Sequence, residues 1–179
     1  MRRVSILALL TASVAVMQGS TLQQLSLNDL VLKSTLIIMG QPQFNYSQFR
    51  GPIIYSHYKV GVSQVYKGIA PGHQIDVAVP GGMSTGMRQV FSGTPNILNG
   101  QNYVMFLWTS KTGLTQIIGL SQGLFLVGKD SQGHVVVQRP AASETMLNAA
   151  GKPVADSGIQ MRLGDLVNQM YSILGGGSQ

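Results

Sequence analysis

The stretch IIYSHYKVGVSQVYKG, residues 53–68, alternates between two sets of side chains along its whole length. One set is mainly apolar and aromatic and consists of Ile54, Tyr58, Val60, Val62 and Tyr66. The other set contains Tyr55, His57 and Lys59. Because successive side chains of a β-strand point to opposite faces, this period of two predicts one long strand. We expect the first set to face the interior and the second set to face outward.

Several further strands are predicted around this one. HQIDVAVP, residues 73–80, is the clearest amphipathic segment, and YVMFLW, residues 103–108, is apolar enough for a central strand buried on both faces. Shorter strands are predicted in TLIIMG (35–40), RQVF (88–91), LTQIIGL (114–120), GLFLVG (123–128) and HVVVQRP (134–140). We interpret residues 43–52, which follow a stop or bulge at Pro42, as a loop.

One helix is predicted at each end of this β-rich region. Ser26 and Asp29 have the spacing of a capping box, so a short helix begins there and ends near Ser34. Residues 159–174 form an amphipathic helix whose apolar stripe consists of Ile159, Leu163, Leu166, Val167, Met170 and Leu174. We interpret residues 140–157 as a connector with one helical turn and residues 175–179 as a flexible tail.

Together these elements predict a mainly β protein with a single domain over residues 21–174. The strands do not alternate with long helices, which disfavours a parallel α/β sheet. Short antiparallel strands at this spacing are typical of one OB-like β-barrel or of a compact sandwich. We expect the N-terminal helix and the C-terminal amphipathic helix to cover the open ends of the barrel.

The first 20 residues predict export from the cytoplasm. Arg2 and Arg3 precede an apolar segment from Val4 to Met17, and small residues follow it, as in a secretory signal peptide. We expect cleavage between about residues 15 and 20, with an uncleaved membrane anchor as the alternative. No later segment stays apolar over about 18 residues, so the cleaved chain has no predicted membrane span. The expected location is secreted or periplasmic.

Composition limits the partners and the chemistry of the chain. It has 12 Lys and Arg residues against 6 Asp and Glu, and without Arg2 and Arg3 the net charge of +6 becomes +4. The charges are scattered, whereas nucleic-acid-binding surfaces cluster their cations, so the pattern disfavours nucleic acid. Weak polyanion binding by an OB-like domain stays open as a further alternative. The absence of cysteine excludes disulfides, a thiol nucleophile and thiolate metal sites.

Residues 80–89, PGGMSTGMRQ, contain the pattern G-x-S-x-G around Ser84. In serine hydrolases this pattern places the nucleophile between a strand and the start of a helix. Here Pro95 follows too soon for a helix, and the Asp130 and His134 that could complete a triad flank one short hairpin. We therefore interpret the segment as a turn that needs glycine at positive φ, and we predict that the protein is not an enzyme. A hydrolase using Ser84 is the alternative.

The richest candidate for a binding surface is FNYSQFRGPIIYSHY, residues 44–58, which holds five of the eleven Phe and Tyr residues. Rigid aromatic side chains beside arginine and amides are typical of binding surfaces. The candidate ligand-binding residues are Tyr46, Phe49, Arg50, Tyr55, His57 and Lys59. The alternative is that Phe44, Phe49 and Tyr58 belong to the core.

These observations predict an exported, non-enzymatic binding module for an extracytoplasmic protein or a small ligand. The histidines at 57, 73 and 134 are far apart and lack the spacing of a metal site, so no metal and no cofactor are predicted.

A family of uncharacterised secreted bacterial proteins, several of them from acidobacteria, has segments that resemble LNDLVLKSTLIIMGQP, YKVGVSQVYKG, VAVPGGM and IIGLSQGLFLV in this chain. The PGG and SQG elements are the most specific parts of this resemblance, which covers residues 22–128 and implies export but no particular activity. The order of strands and glycines is also similar to the OB-like barrel of netrin-like domains and tissue inhibitors of metalloproteinases. That second resemblance implies the fold alone, because those inhibitors chelate zinc through an N-terminal cysteine, which this chain lacks.

Overall fold

The computed structural model describes residues 21–176, which form a mainly β structure with two α-helices. The strands are β1 (Thr21–Gln23), β2 (Leu36–Arg50), β3 (Ile53–Lys67), β4 (Gln74–Pro80), β5 (Gly82–Ser84), β6 (Met87–Gln89), β7 (Tyr103–Thr109), β8 (Thr115–Ile117), β9 (Leu124–Lys129), β10 (Val135–Arg139), β11 (Thr145–Leu147), β12 (Pro153–Val154) and β13 (Ile159–Arg162). The helices are α1 (Leu27–Lys33) and α2 (Leu163–Gly176), with a short 3-10 helix at Leu120–Gly123. The predicted signal peptide, residues 1–20, and residues 177–179 of the predicted tail lie outside the described residues.

Eight of the strands form one sheet in the order β13-β10-β9-β7-β2-β3-β4-β8, and β7 pairs in addition with β8. All neighbours in this sheet are antiparallel except β4 and β8, which run parallel and pair through Ala78 and Gln116. A small sheet, β1-β11-β12, and the hairpin β5-β6 contain the remaining strands. The prediction of a mainly β fold is confirmed.

Strand β7 separates two hydrophobic clusters because its side chains alternate between them, as predicted for a central strand. The first cluster lies among the strands of the large sheet and contains Leu36, Ile38, Val60, Ile75, Val77, Val79, Ile97, Tyr103, Met105, Leu107, Ile117 and Leu124. The second cluster lies between the sheet and the helices and contains Leu30, Val31, Ile37, Val104, Phe106, Phe125, Val137, Leu166 and Met170. Burial of these two sets is the main apolar contribution to stability.

Both helices contribute to the second cluster, where they pack against side chains of β2, β7, β9 and β10. Their buried residues are Leu30 and Val31 in α1 and Leu166 and Met170 in α2. The predicted start of α1 is confirmed, since Ser26 and Asp29 form a reciprocal capping box and Ser34 follows the last turn. Within residues 21–176, no helix is long and apolar enough to cross a membrane.

The loop predicted at residues 43–52 is wrong, because β2 continues without interruption to Arg50. Only Gly51 and Pro52 form the turn to β3, and Gly51 adopts a φ of 60°. The pairing of β2 with β3 slips between Pro42 and Phe44, so the predicted irregularity at Pro42 is present as a bulge that does not end the strand. The result is a long hairpin that contains all six candidate ligand-binding residues.

The C-terminal region differs from the prediction in two places. Residues 159–162 form β13, which pairs with β10, so α2 begins at Leu163 and not at residue 159. Residues 140–157 contain β11 and β12 in place of the predicted helical turn, and β11 also pairs in parallel with β1. The predicted hairpin around Asp130–Gly133 is confirmed as the β9–β10 turn.

A shift of register near the end of β3 also changes the face on which one residue lies. The pairing of β2 with β3 skips from Lys67 to Val65 between Ile37 and Ile38, and Tyr66 lies in the irregularity. Tyr66 therefore packs against the second cluster, whereas Val60, Val62 and Val65 face the first. The prediction that Tyr66 shares a side with Val60 is wrong.

Candidate functional site

Five of the six candidate ligand-binding residues lie on one face of the β2–β3 hairpin. Tyr46 pairs directly with His57, and Phe49 pairs with Ile54. Directly paired residues share a face, as do residues two positions apart along a strand. One face therefore carries Tyr46, Arg50, Tyr55, His57 and Lys59, whereas Phe49 lies on the opposite face with Ile54.

Strand β4 extends this face, because Asp76 pairs with Lys59 and Ala78 pairs with His57. The reverse side of β3 and β4 carries Val60, Ile75 and other members of the first hydrophobic cluster. We therefore call the exposed side the outer face and define it by Phe44, Tyr46, Gln48, Arg50, Tyr55, His57, Lys59 and Asp76.

Asp76 is the centre of a hydrogen-bond network on the outer face. Its Oδ2 accepts a bond of 2.9 Å from Lys59 Nζ and one of 3.1 Å from the hydroxyl of Tyr46. Its Oδ1 lies 3.1 Å from Nδ1 of His57. The donors come from β2 and β3 and the acceptor from β4, so the network fixes the three strands to one another while a third of the Asp76 side chain (34%) stays exposed.

His57 points to the outer face as expected but is only 6% exposed, so the prediction of a solvent-facing histidine is wrong. The Tyr46 ring covers it, with ring centroids 5.0 Å apart and the planes within 9° of parallel. His57 Nε2 lies 3.2 Å from Nε2 of Gln48. With a proton on Nδ1, His57 donates to Asp76, and its Nε2 can accept from the amide of Gln48.

The hydrogen bonds of the network and burial shift the pKa values of Asp76, Lys59 and Tyr46. Burial acts to raise the pKa of Asp76, but the hydrogen bonds from Lys59 and His57 outweigh it and lower the pKa below its ordinary value. The hydrogen bond to Asp76 raises the pKa of Lys59. Burial, followed by the bond to Asp76, raises the pKa of Tyr46. Near neutral pH the outer face therefore holds a carboxylate, an ammonium group and a neutral phenol.

Arg50 joins the tip of the hairpin to the turn between β7 and β8. Its Nη2 donates to the hydroxyl of Thr112 at 2.9 Å and to the carbonyl of Thr112 at 3.3 Å. Both residues are exposed. This contact brings the β2–β3 turn and the β7–β8 turn, residues 110–114, to the same end of the outer face.

A cavity of about 470 Å³ opens beside Asp76. Its lining includes three threonines, Thr35, Thr109 and Thr115, together with apolar side chains such as Ile69 and Ile75. The hydroxyls of Thr109 and Thr115 lie 2.9 Å apart. Asp76 therefore belongs both to the network on the outer face and to the lining of the cavity.

Sequence reasoning missed Asp76, Gln48 and the threonines as site residues. Alternation in β4 did place Asp76 on the side away from Ile75, but nothing local indicates that it faces Lys59. The sequence predicts a loop around Gln48, where strand alternation gives no information. The threonines come from the ends of three strands that only the sheet brings together.

The segment around Ser84 is a β-hairpin, in which Ser84 ends β5 and pairs with Met87 of β6. Thr85 and Gly86 form the turn at φ values of 49° and 78°. The strand after the serine replaces the helix that a nucleophile elbow requires. Asp130 and His134 bond to each other at 3.1 Å across their own hairpin turn. The expectation of positive φ is confirmed for Gly81 (102°) and Gly82 (135°).

Among residues 21–176, no group of three or more His, Asp or Glu side chains could hold a metal ion. No family model, curated protein or solved structure matches the chain.

Proposed function

We propose that the protein is an exported, non-enzymatic binding module built on an OB-like barrel, and that the outer face is its ligand-binding surface. The pairings of β7 with β2, β2 with β3, β3 with β4, β4 with β8 and β8 with β7 return to their starting strand. Numbered along the chain, these five strands have the cyclic order 1-2-3-5-4, with the third and fifth parallel. This order supports the OB-like topology that the sequence predicts.

The functional proposal rests on where the outer face lies in the fold. OB-folds bind ligands on the face of their second and third strands and at the loops that join strands 1–2 and 4–5. In this chain those elements are β3, β4, the turn at residues 51–52 and the turn at residues 110–114. The aromatic and basic residues that the sequence singles out lie there, and Arg50 links the two turns. Export is supported by the signal-like pattern of residues 1–20.

The test is a pull-down from periplasmic extract and culture medium with the exported protein as bait. Replacing Tyr46, Arg50 or Tyr55 singly by Ala should weaken binding of the recovered partner by about 1–3 kcal/mol at the best position. Tyr46→Phe removes only the hydroxyl and keeps the cover over His57. Tyr171→Ala, on the exposed side of α2, is the matched control and should leave binding unchanged.

A core role predicts a different result. If the three alanine variants melt at much lower temperature while the folded fraction binds as well as wild type, the outer face is a structural element only.

Intact-mass measurement of the exported protein tests the signal peptide, since a mass that includes Arg2 and Arg3 contradicts cleavage.

A further inference from the structure

The centre of the outer face offers no unpaired cation to an anionic ligand. Lys59, the cation at this centre, is paired with Asp76 at 2.9 Å, and Arg50, which keeps its charge, lies at the end of the face beside neutral Thr112. The carboxylate of Asp76 is partly exposed at the middle of the face and repels a second negative charge. Polyanions bind through clusters of unpaired cations, so this arrangement favours an uncharged ligand.

Two aromatic rings lie side by side along the edge of this face. Phe44 pairs with Lys59 and Tyr46 pairs with His57, so both side chains lie on the outer face, where the Tyr46 ring lies flat over His57. Phe44 is 51% exposed. Strand geometry separates the two attachment points by about 7 Å. Rings in this position can stack against the apolar C–H face of a pyranose.

The cavity beside Asp76 supplies hydroxyl-binding groups. A carboxylate has about four lone-pair sites, and Asp76 uses three of them for Tyr46, Lys59 and His57. In the Thr109–Thr115 pair one hydroxyl donates to the other, so one O–H is left to donate elsewhere. Acceptors and donors therefore occur together beside apolar Ile69, as a sugar ring with alternating hydroxyl and C–H surfaces requires.

We propose that the ligand of the outer face is a neutral oligosaccharide. One sugar unit binds through its hydroxyls to Asp76 and the threonine cavity, and a neighbouring unit stacks on Phe44 and Tyr46. The proposal rests on the outer face being the binding surface, and it specifies the chemical class of the ligand. A cavity of about 470 Å³ falls within the usual range for small-ligand sites.

Isothermal titration calorimetry of the full exported protein tests the ligand class. The probes are cellohexaose, maltohexaose, chitohexaose and mannohexaose, with hexagalacturonate and hexathymidylate as anionic comparisons. At least one neutral hexaose should bind saturably and more tightly than either anionic probe. If none of the four binds at millimolar concentration, or if an anionic probe binds more tightly, the sugar proposal is wrong.

Variants then locate the binding. Asp76→Asn, Thr115→Val and Phe44→Ala should each weaken the best hexaose about tenfold or more, whereas Thr145→Val on β11 and Asp165→Asn on α2 should not. Thr115→Val conserves the shape of the side chain, so it tests the cavity even if Asp76→Asn unfolds. Hexaose binding that is insensitive to all three overturns the proposed site.

The pull-down separates the two proposals. If Tyr46→Ala loses its recovered partner while no hexaose binds, the sugar assignment fails and the binding module stands. If neither hexaoses nor recovered partners respond to any outer-face variant, both proposals fail.

Discussion

Asp76 and Asp156 are both bonded to a basic side chain, but their surroundings differ. Asp156 binds Arg139 through two bonds of 2.6 and 2.9 Å and accepts further bonds from the backbone N–H groups of Ala142 and Gly158. Only 5% of the Asp156 side chain is exposed, against 34% for Asp76. The partners of Asp76 are three side chains on neighbouring strands.

The comparison separates a structural carboxylate from one that a ligand can reach. Asp156 is closed in by backbone donors, and it fastens residues 142–158 to the end of β10. The hydrogen bonds from Arg139, more than any other contact, hold its pKa well below the ordinary range. Asp76 instead has a third of its side chain exposed and borders a cavity. The buried Arg139–Asp156 pair therefore holds the chain in one conformation. The partly exposed network of Asp76 leaves polar groups that a ligand can contact.

The largest expected loss of stability follows from breaking the buried Arg139–Asp156 pair. Asp156→Asn leaves the Arg139 guanidinium buried without a counter-charge, and we expect the free energy of unfolding to fall by about 3–5 kcal/mol. Urea denaturation followed by circular dichroism measures this loss. Asp165→Asn, in the exposed first turn of α2, is the control and should stay within about 0.5 kcal/mol of wild type. Equal stability of the two variants would show that Asp156 is not structural.

A second, smaller loss of stability is expected from a substitution next to β2 and β3, on the side opposite the Asp76 network. Gly82 adopts a φ of 135°, and a Cβ there would lie 2.5 Å from Ser56 Oγ and 2.6 Å from Ser47 Oγ. These serines occupy the side of β2 and β3 opposite Tyr46 and His57. We expect Gly82→Ala to cost about 1–3 kcal/mol, because it combines backbone strain with close contact.

Gly86→Ala is the matched control for this prediction. Gly86 has a φ of 78° with open space around its Cβ position, so only the backbone term applies, about 1 kcal/mol. Thermal denaturation of both variants measures the difference. If the two lose the same stability, the contact with Ser47 and Ser56 has no energetic consequence.

The smallest expected effect on stability is at Asp76 itself. Asp76→Asn should cost no more than about 1 kcal/mol, because solvent screens a partly exposed ion pair.

Both aspartates, Asp76 and Asp156, have lowered pKa values in the folded state. Their contributions are therefore complete above the ordinary value of 3.8 and are lost as the pH falls through the folded pKa.

Melting curves between about pH 6 and pH 2 test this assignment. The wild type should lose stability below about pH 4, the Asp156→Asn variant should lose much less, and Asp76→Asn should follow the wild type closely. A flat profile for Asp76→Asn alone would reverse the roles of the two carboxylates.

The local pattern predicted the strands better than it predicted their lengths. Alternation in β3 placed Tyr55, His57 and Lys59 on the face away from Val60, and the structure agrees. The same reasoning failed for residues 43–50, because FNYSQFR is polar or aromatic on both of its faces and has no apolar side to count. Cross-strand hydrogen bonds to β3 hold this segment in a strand, although its own side chains do not indicate one.

The sequence by itself determined the positions of β3, β4, β7, β9 and β10, where α1 begins and which of residues 54–62 in β3 share a side, since these depend on side chains a few positions apart. Tertiary structure alone decided that Asp76 meets Tyr46, His57 and Lys59, that Arg139 meets Asp156, and that Thr109 and Thr115 border the same cavity. Each of these contacts depends on strand register. Register is set by bulges, turns and the packing of the whole sheet, so the side-chain partners of Asp76 and Asp156, which are 17 to 30 positions away in the chain, become neighbours only after the sheet forms.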